Sequence, residues 1–106
     1  ESRKLELTKS QVQNAQEIFL FNNRLQATEE HHAIRRYKEL MKEDHKIIAL
    51  RTAVRESAEA KLEHGIIDVN NLLQEIIKEN EAKTNLSTHE IEMLKHIYEL
   101  KHTVNQ

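Results

Sequence analysis

Glu63-His64-Gly65-Ile66-Ile67-Asp68 holds the one glycine of a 106-residue chain that contains no proline. Glycine enters the left-handed backbone region without steric cost, so Gly65 is the natural residue to follow the last turn of a helix. Asp68, three residues on, is a good N-cap for a second helix, because its carboxylate can accept from the free amides of the first turn. The stretch therefore reads as a helix end, a tip over residues 64–68 and a helix start. Ile66 and Ile67 sit between the two signals, which is unusual for a tight exposed turn. Two adjacent β-branched apolar residues there either pack back on the hairpin or contact a partner, and their chemistry alone leaves both open.

Upstream, the spacing predicts a helix over about 3–63. Leu5, Val12, Ala15 and Phe19 form one apolar stripe. Ile34, Tyr37, Met41, Ile47 or Ile48, Leu50 or Arg51, Val54, Ala58 and Leu62 form a better one. Steps of three and four dominate, as for a helix facing one partner. Lys38, Glu39, Lys42 and Glu43 are of mixed sign and read as a solvated face. The pattern is weakest over Gln26-Ala27-Thr28-Glu29-Glu30-His31-His32, where a kink is admitted although nothing forbids a helix. Downstream, a second helix is predicted over about 69–104. Its stripe is Val69, Leu72/Leu73, Ile76, Asn80, Lys83, Ser87, Ile91, Leu94, Ile97/Tyr98 and Lys101, polar in the middle. Such polar seam positions fix register or face a partner or water.

The fold class that follows is all-α: a long, coiled-coil-like antiparallel helical hairpin turning at Gly65. Folding the two stripes together pairs Leu62 with Val69, Ala58 with Leu73, Val54 with Ile77, Tyr37 with Leu94 and Ile34 with Ile97. Helix one then outruns helix two by about 25 residues, or about 35–40 Å at 1.5 Å per residue. Such an overhang is not stable alone, so the chain is expected to self-associate, to fold back near Thr28, or to belong to something larger.

Composition agrees. Aromatics are 4% of the residues and tryptophan is absent, while charged residues reach 32%. That is the vocabulary of long helices. With 16 basic against 18 acidic residues and a net charge of −2, the chain lacks the clustered basic excess of a nucleic-acid binder or a basic membrane-surface helix. No run approaches the roughly 20 apolar residues of a transmembrane helix. Glu1-Ser2-Arg3-Lys4 opens without methionine or a signal-peptide core, which is the expectation for a segment of a longer protein. There are no cysteines, so disulfides and thiolate metal sites are excluded.

Candidate chemistry is thin. Seven histidines invite a metal reading: Glu92 and His96 lie at i,i+4, and Glu29, Glu30, His31 and His32 cluster. A metal site needs three or four convergent ligands and a supporting shell, whereas histidines on a long exposed helix are usually polar surface. No metal or other cofactor is expected. Carboxylate pairs without a pocket do not become acid–base catalysts. No nucleophile sits in a glycine-framed turn and no phosphate-binding loop exists, so no catalytic residue is expected and the chain does not read as an enzyme.

The run Ala58-Glu59-Ala60-Lys61-Leu62-Glu63-His64-Gly65-Ile66-Ile67-Asp68-Val69-Asn70-Asn71-Leu72-Leu73 resembles the periplasmic turn of TolC-like outer-membrane efflux channels. There, a helix carrying an alanine and then an aromatic residue or leucine closes on glycine, and a leucine-bearing segment opens the next. Leu50-Arg51-Thr52-Ala53-Val54-Arg55 and Glu90-Ile91-Glu92-Met93-Leu94-Lys95-His96-Ile97-Tyr98-Glu99-Leu100-Lys101 are similar to members from Bacteroides-like bacteria. The resemblance covers most of the chain, most strongly from Ile47 to Asn105. It implies a homotrimeric channel of the Gram-negative outer membrane, with this chain as one hairpin of its periplasmic α-barrel. The tip, Glu63, His64, Gly65, Ile66, Ile67 and Asp68, would line the periplasmic entrance and dock the helical hairpin of a membrane-fusion adaptor protein. An inner-membrane pump would power transport without touching the chain directly. The family's constricting aspartates match Asn71 and Gln74, so an acidic gate is not implied and a polar constriction stays open. The basic residue that some members carry two positions after the glycine is Ile67 here, which puts ionic locking at the tip in doubt.

Two function classes follow: a stave of an export duct, or a free-standing coiled-coil scaffold that dimerises into a four-helix bundle. A stave needs two extra contact stripes per helix and a scaffold dimer one broad one. Ala15, Ala27, Ala33, Ala49, Ala53, Ala60 and Ala82, scattered off the expected seam, favour the stave.

Overall fold

The computed structural model describes residues 2–104. Two helices account for nearly all of it: α1 spans Ser2–Glu63 and α2 spans Val69–Val104. They pack on each other as an antiparallel hairpin. The molecule measures 93 × 18 × 15 Å, and at about 1.5 Å per residue α1 alone accounts for the long axis. Its radius of gyration is 25.7 Å, against about 13 Å for a compact chain of this length. Among the described residues no helix is long and apolar enough to cross a membrane.

The turn forms as the sequence requires. The Ile66 amide donates to the Lys61 carbonyl at 2.9 Å and the Gly65 amide to the Leu62 carbonyl at 3.0 Å. This is the Schellman arrangement, which satisfies the orphan carbonyls of a helix end and needs a left-handed residue after the cap. Gly65 supplies it, with φ at +69°. Asp68 then caps α2, its carboxylate accepting from the Asn71 amide at 2.9 Å.

α1 carries unbroken helical structure through residues 26–32, the stretch where the sequence admits a kink. Thr28 stays within the helix, its hydroxyl donating to the Arg24 carbonyl at 2.9 Å, so the chain does not fold back there. The first half-buried residue of α1 is Asn23. Everything before it in the described chain is exposed, including Leu5, Val12, Phe19 and Phe21. The overhang expected from the helix lengths is therefore present and bare.

The seam of α1 keeps every expected position except Val54, whereas most of the α2 seam is rotated from the one the apolar pattern predicts. On α1 it runs through Ile34, Tyr37, Met41, Asp44, Ile48, Arg51, Arg55, Ala58 and Leu62, all buried or half-buried in steps of three and four. Of the expected alternatives, Ile48 and Arg51 face inward while Ile47 and Leu50 face out. Val54 also faces out, 44% exposed, and Arg55 takes its place. On α2 the seam runs through Leu72, Ile76, Glu79, Ala82, Leu86, His89, Met93, His96 and Leu100. Of the predicted stripe, Leu72, Ile76 and Ile97 are half-buried at the seam, whereas Val69, Leu73, Asn80, Lys83, Ser87, Ile91, Leu94, Tyr98 and Lys101 lie beside it and are exposed. The expected pairings of Leu62 with Val69, Ala58 with Leu73, Val54 with Ile77 and Tyr37 with Leu94 are accordingly not those of the hairpin, whereas Ile34 and Ile97 do both lie at the seam. Ala82, expected off the seam, is one of two buried apolar residues among the described residues, with Ala58 the other.

A Cβ added at Gly65 would meet no atom within 4 Å, so the cost of a side chain there is the left-handed backbone alone. Gly65→Ala is expected to destabilise the hairpin by about 1 kcal/mol, read as a lower urea midpoint with the helical circular dichroism of the folded state unchanged.

Candidate interaction surface

The seam carries cross-helix polar pairs at positions where a hairpin usually places leucine. Nearest the tip, Arg55 Nε donates to Glu79 Oε2 at 2.8 Å, and its Nη1 donates to Glu59 Oε1 at 2.7 Å on the same helix. Glu79 is 5% exposed. Lys83 adds a weaker contact to it at 3.5 Å. The Arg55 hydrogen bond holds the Glu79 carboxyl below its ordinary range against the opposing effect of burial, with Thr52 and the charges of Arg55 and Lys83 adding to the lowering. The same carboxylates raise the Arg55 guanidinium, first through the hydrogen bond to Glu79 and then through that to Glu59. Farther from the tip, His89 Nδ1 meets Asp44 Oδ2 and His96 Nδ1 meets Glu30 Oε2, both at 2.5 Å. Glu30 and His96, weighed in the sequence as metal ligands, are thus partners across the seam. Among the described residues no three histidine or carboxylate side chains converge as a metal would need.

Where the seam holds charge, neighbouring apolar side chains lie beside it. On α1, Leu50 and Val54 immediately precede the seam residues Arg51 and Arg55. On α2, Leu73, Ile77 and Leu94 immediately follow Leu72, Ile76 and Met93. One residue is about 100° of rotation. In an antiparallel pair, the position before the seam on one helix and the position after it on the other fall on opposite faces. The surface relief agrees. Leu50 and Val54 share a groove near the tip with Ile67, Asn71 and Gln74. Ile77 lies in a separate recess with Asn80 and Thr84, and Ile91, Leu94 and Tyr98 form another. The hairpin therefore presents two apolar stripes on opposite sides. Exposures of 68% at Leu50, 55% at Ile77 and 72% at Tyr98 show that neither stripe is covered within the chain.

The tip residues divide. Ile66 is 69% exposed and projects from the turn, while Ile67 is half-buried and closes the tip end of the groove. Ile67 thus packs back on the hairpin, and Ile66 does not. Glu63, His64, Gly65 and Asp68 are exposed around them. Asn71 and Gln74 are exposed too and lie on the groove wall with Leu50 and Val54. Surface ion pairs such as Lys42–Glu39 at 3.2 Å and Lys46–Glu43 at 3.4 Å line the polar face at i,i+3 spacing and contribute little to stability.

No family model matches this chain, and no curated protein or solved structure is significantly similar to it.

Glu79 gives the hairpin a defined acid response. A carboxylate held below its ordinary value in the folded state contributes stability that is complete above that ordinary value of 4.5 and is lost as pH falls through the lowered one. The urea midpoint of the wild-type chain is expected to fall as pH drops from about 5 toward 3. In Glu79→Gln the midpoint at neutral pH should be lower and its dependence on pH in this window flatter.

Proposed function

We propose that this chain is a non-catalytic structural stave: a hairpin of the periplasmic α-barrel of a TolC-like, trimeric outer-membrane efflux channel, with its tip docking a membrane-fusion adaptor. The observation that supports the reading best is the pair of uncovered apolar stripes on opposite faces. A single partner on one face, as in a dimeric four-helix bundle, leaves the other stripe in water. Neighbours on both sides cover both, and a closed ring of subunits supplies them without an open end.

Surface area points the same way. The chain exposes 8592 Å², where a compact monomer of its mass would expose about 6,200 Å². The excess is of the order that specific interfaces bury, about 1,600 Å² in total for a standard one. The bare overhang before Asn23 fits a helix whose neighbours lie in the rest of a larger protein. The shape of the tip supports adaptor docking: Ile66 stands clear of the turn, the left-handed Gly65 beside it carries no side chain, and Ile67 fills the groove behind. Asn71 and Gln74 share that groove, and on this reading they form a polar lining just inside the entrance. The channel is passive, its tip opened by realignment of the helices when the adaptor binds, and an inner-membrane pump drives transport.

Fractionation of the source bacterium, probed with an antibody against this chain, tests the reading. The expected result is an outer-membrane species that runs as a heat-dissociable trimer, with subunits much heavier than 12.5 kDa. A soluble species near the chain's own mass would rule the channel out and leave a free-standing scaffold.

A further inference from the structure

The polar pairs of the seam are of two chemical kinds, and they are sorted along its length. Arg55–Glu79, in the tip half, joins a guanidinium to a carboxylate, and a guanidinium stays charged across the accessible pH range. The pairs in the remote half, His89–Asp44 and His96–Glu30, carry a full ion pair only when the imidazole is protonated. An ordinary imidazole changes charge between about pH 5 and 8.

The surroundings amplify that difference. Asp44 is 7% exposed, and Glu30 is half-buried. A buried carboxylate facing a neutral imidazole keeps a hydrogen bond but loses its countercharge. Tyr37 lies between the two imidazoles, tilted at 5.9 Å from His89 and stacked at 5.6 Å from His96. Both separations lie within cation–π range, so protonation strengthens the ring contacts as well as the ion pairs. From α1, Asp44, Glu30 and the Tyr37 ring face the imidazoles. On α2 the half-buried Glu92 lies between them, three residues after His89 and four before His96, with Lys95 held on its carboxylate at 3.2 Å.

We propose that the half of the seam remote from the turn is a pH-responsive latch, in which His89 and His96 clamp α2 onto Asp44, Glu30 and Tyr37 of α1 at mildly acidic pH and release it as pH rises, while Arg55–Glu79 keeps the tip half closed throughout. The inference concerns this hairpin's own seam and stands or falls independently of the channel reading.

The test is amide hydrogen exchange of the chain at about pH 5.5 and about pH 8, at one protein concentration and corrected for the intrinsic pH dependence of exchange. Protection is read separately over residues 72–82, beside Arg55–Glu79, and over residues 86–103, beside the imidazole pairs. A charge-assisted hydrogen bond replaced by a neutral one predicts a loss of protection of about fivefold per pair in the second segment at the higher pH, with the first segment unchanged. His89→Gln/His96→Gln keeps hydrogen-bonding side chains without a titrating group and leaves the other histidines in place. Its second segment should be equally protected at both pH values. Equal protection of the wild-type second segment at both pH values overturns the proposal, whether or not the variant folds. So does a variant that retains the wild-type response.

Discussion

The buried contact between Arg55 and Glu79 is the constraint around which the hairpin is organised. A carboxylate that is 5% exposed must face its countercharge, because removing charge from water is costly unless it is paired and hydrogen-bonded. Once Arg55 and Glu79 face each other, the rotation of both helices about their axes is set. One residue of rotation would bring Val54 inward and carry Arg55 away from Glu79. Asp44 with His89 and Glu30 with His96 repeat the same requirement farther along. The small residues Ala58 and Ala82, each three residues on from a member of the pair, are buried in the same seam. With the rotation fixed in this way, the exposure of Leu50, Val54, Leu73, Ile77 and Leu94 follows from helical geometry alone.

The turn and the lengths of the helices were legible in the sequence because they rest on local chemistry. The left-handed preference of Gly65 and the capping carboxylate of Asp68 act within a few residues, and no distant packing overrides them. The bare overhang followed from the same two signals and the lack of any other breaker. The seam of α1 was legible except at Asp44 and Arg55, whereas that of α2 was legible only at Leu72, Ile76 and Ile97. Each helix carries two stripes of heptad spacing one residue apart, and a pattern search takes the more apolar as the contact face. That logic selected Val54 over Arg55, and Leu94 over Met93. It assumes that apolar residues mark the contact face, and it fails where buried charge pairs set the rotation of the helices instead. The seam role of His89 and His96 is hidden in the sequence for a related reason. Taken singly they look like surface residues, and what distinguishes His89 and His96 is that Asp44, Glu30 and Tyr37 recur at seam spacing on the opposite helix. Searching for charge complementarity between the two stripes, as well as apolar matching, would have found them.

A seam that interleaves polar pairs with apolar residues, between exposed apolar stripes, departs from the usual two-helix coiled coil, where the seam is apolar and the flanks are charged. The departure divides the labour between specificity and burial. The polar pairs set how the two helices of one hairpin meet, and the flanks hold most of the surface that burial could stabilise. The alignment of the two helices is thus encoded within the hairpin, while Leu50, Val54, Leu73, Ile77 and Leu94 stay exposed.

The central claim, that polar pairs form the seam and the apolar stripes lie outside it, is tested most directly by disulfide trapping. The chain has no cysteine of its own, so pairs can be introduced without interference. Under dilute oxidation, Asp44→Cys/His89→Cys is predicted to close a disulfide within one chain, seen as a monomer of altered mobility on a non-reducing gel. Val54→Cys/Ile77→Cys, on opposite faces, is predicted not to close within the chain. Efficient intrachain closure of 54 with 77, and none of 44 with 89, would contradict the account and restore the apolar stripes as the seam.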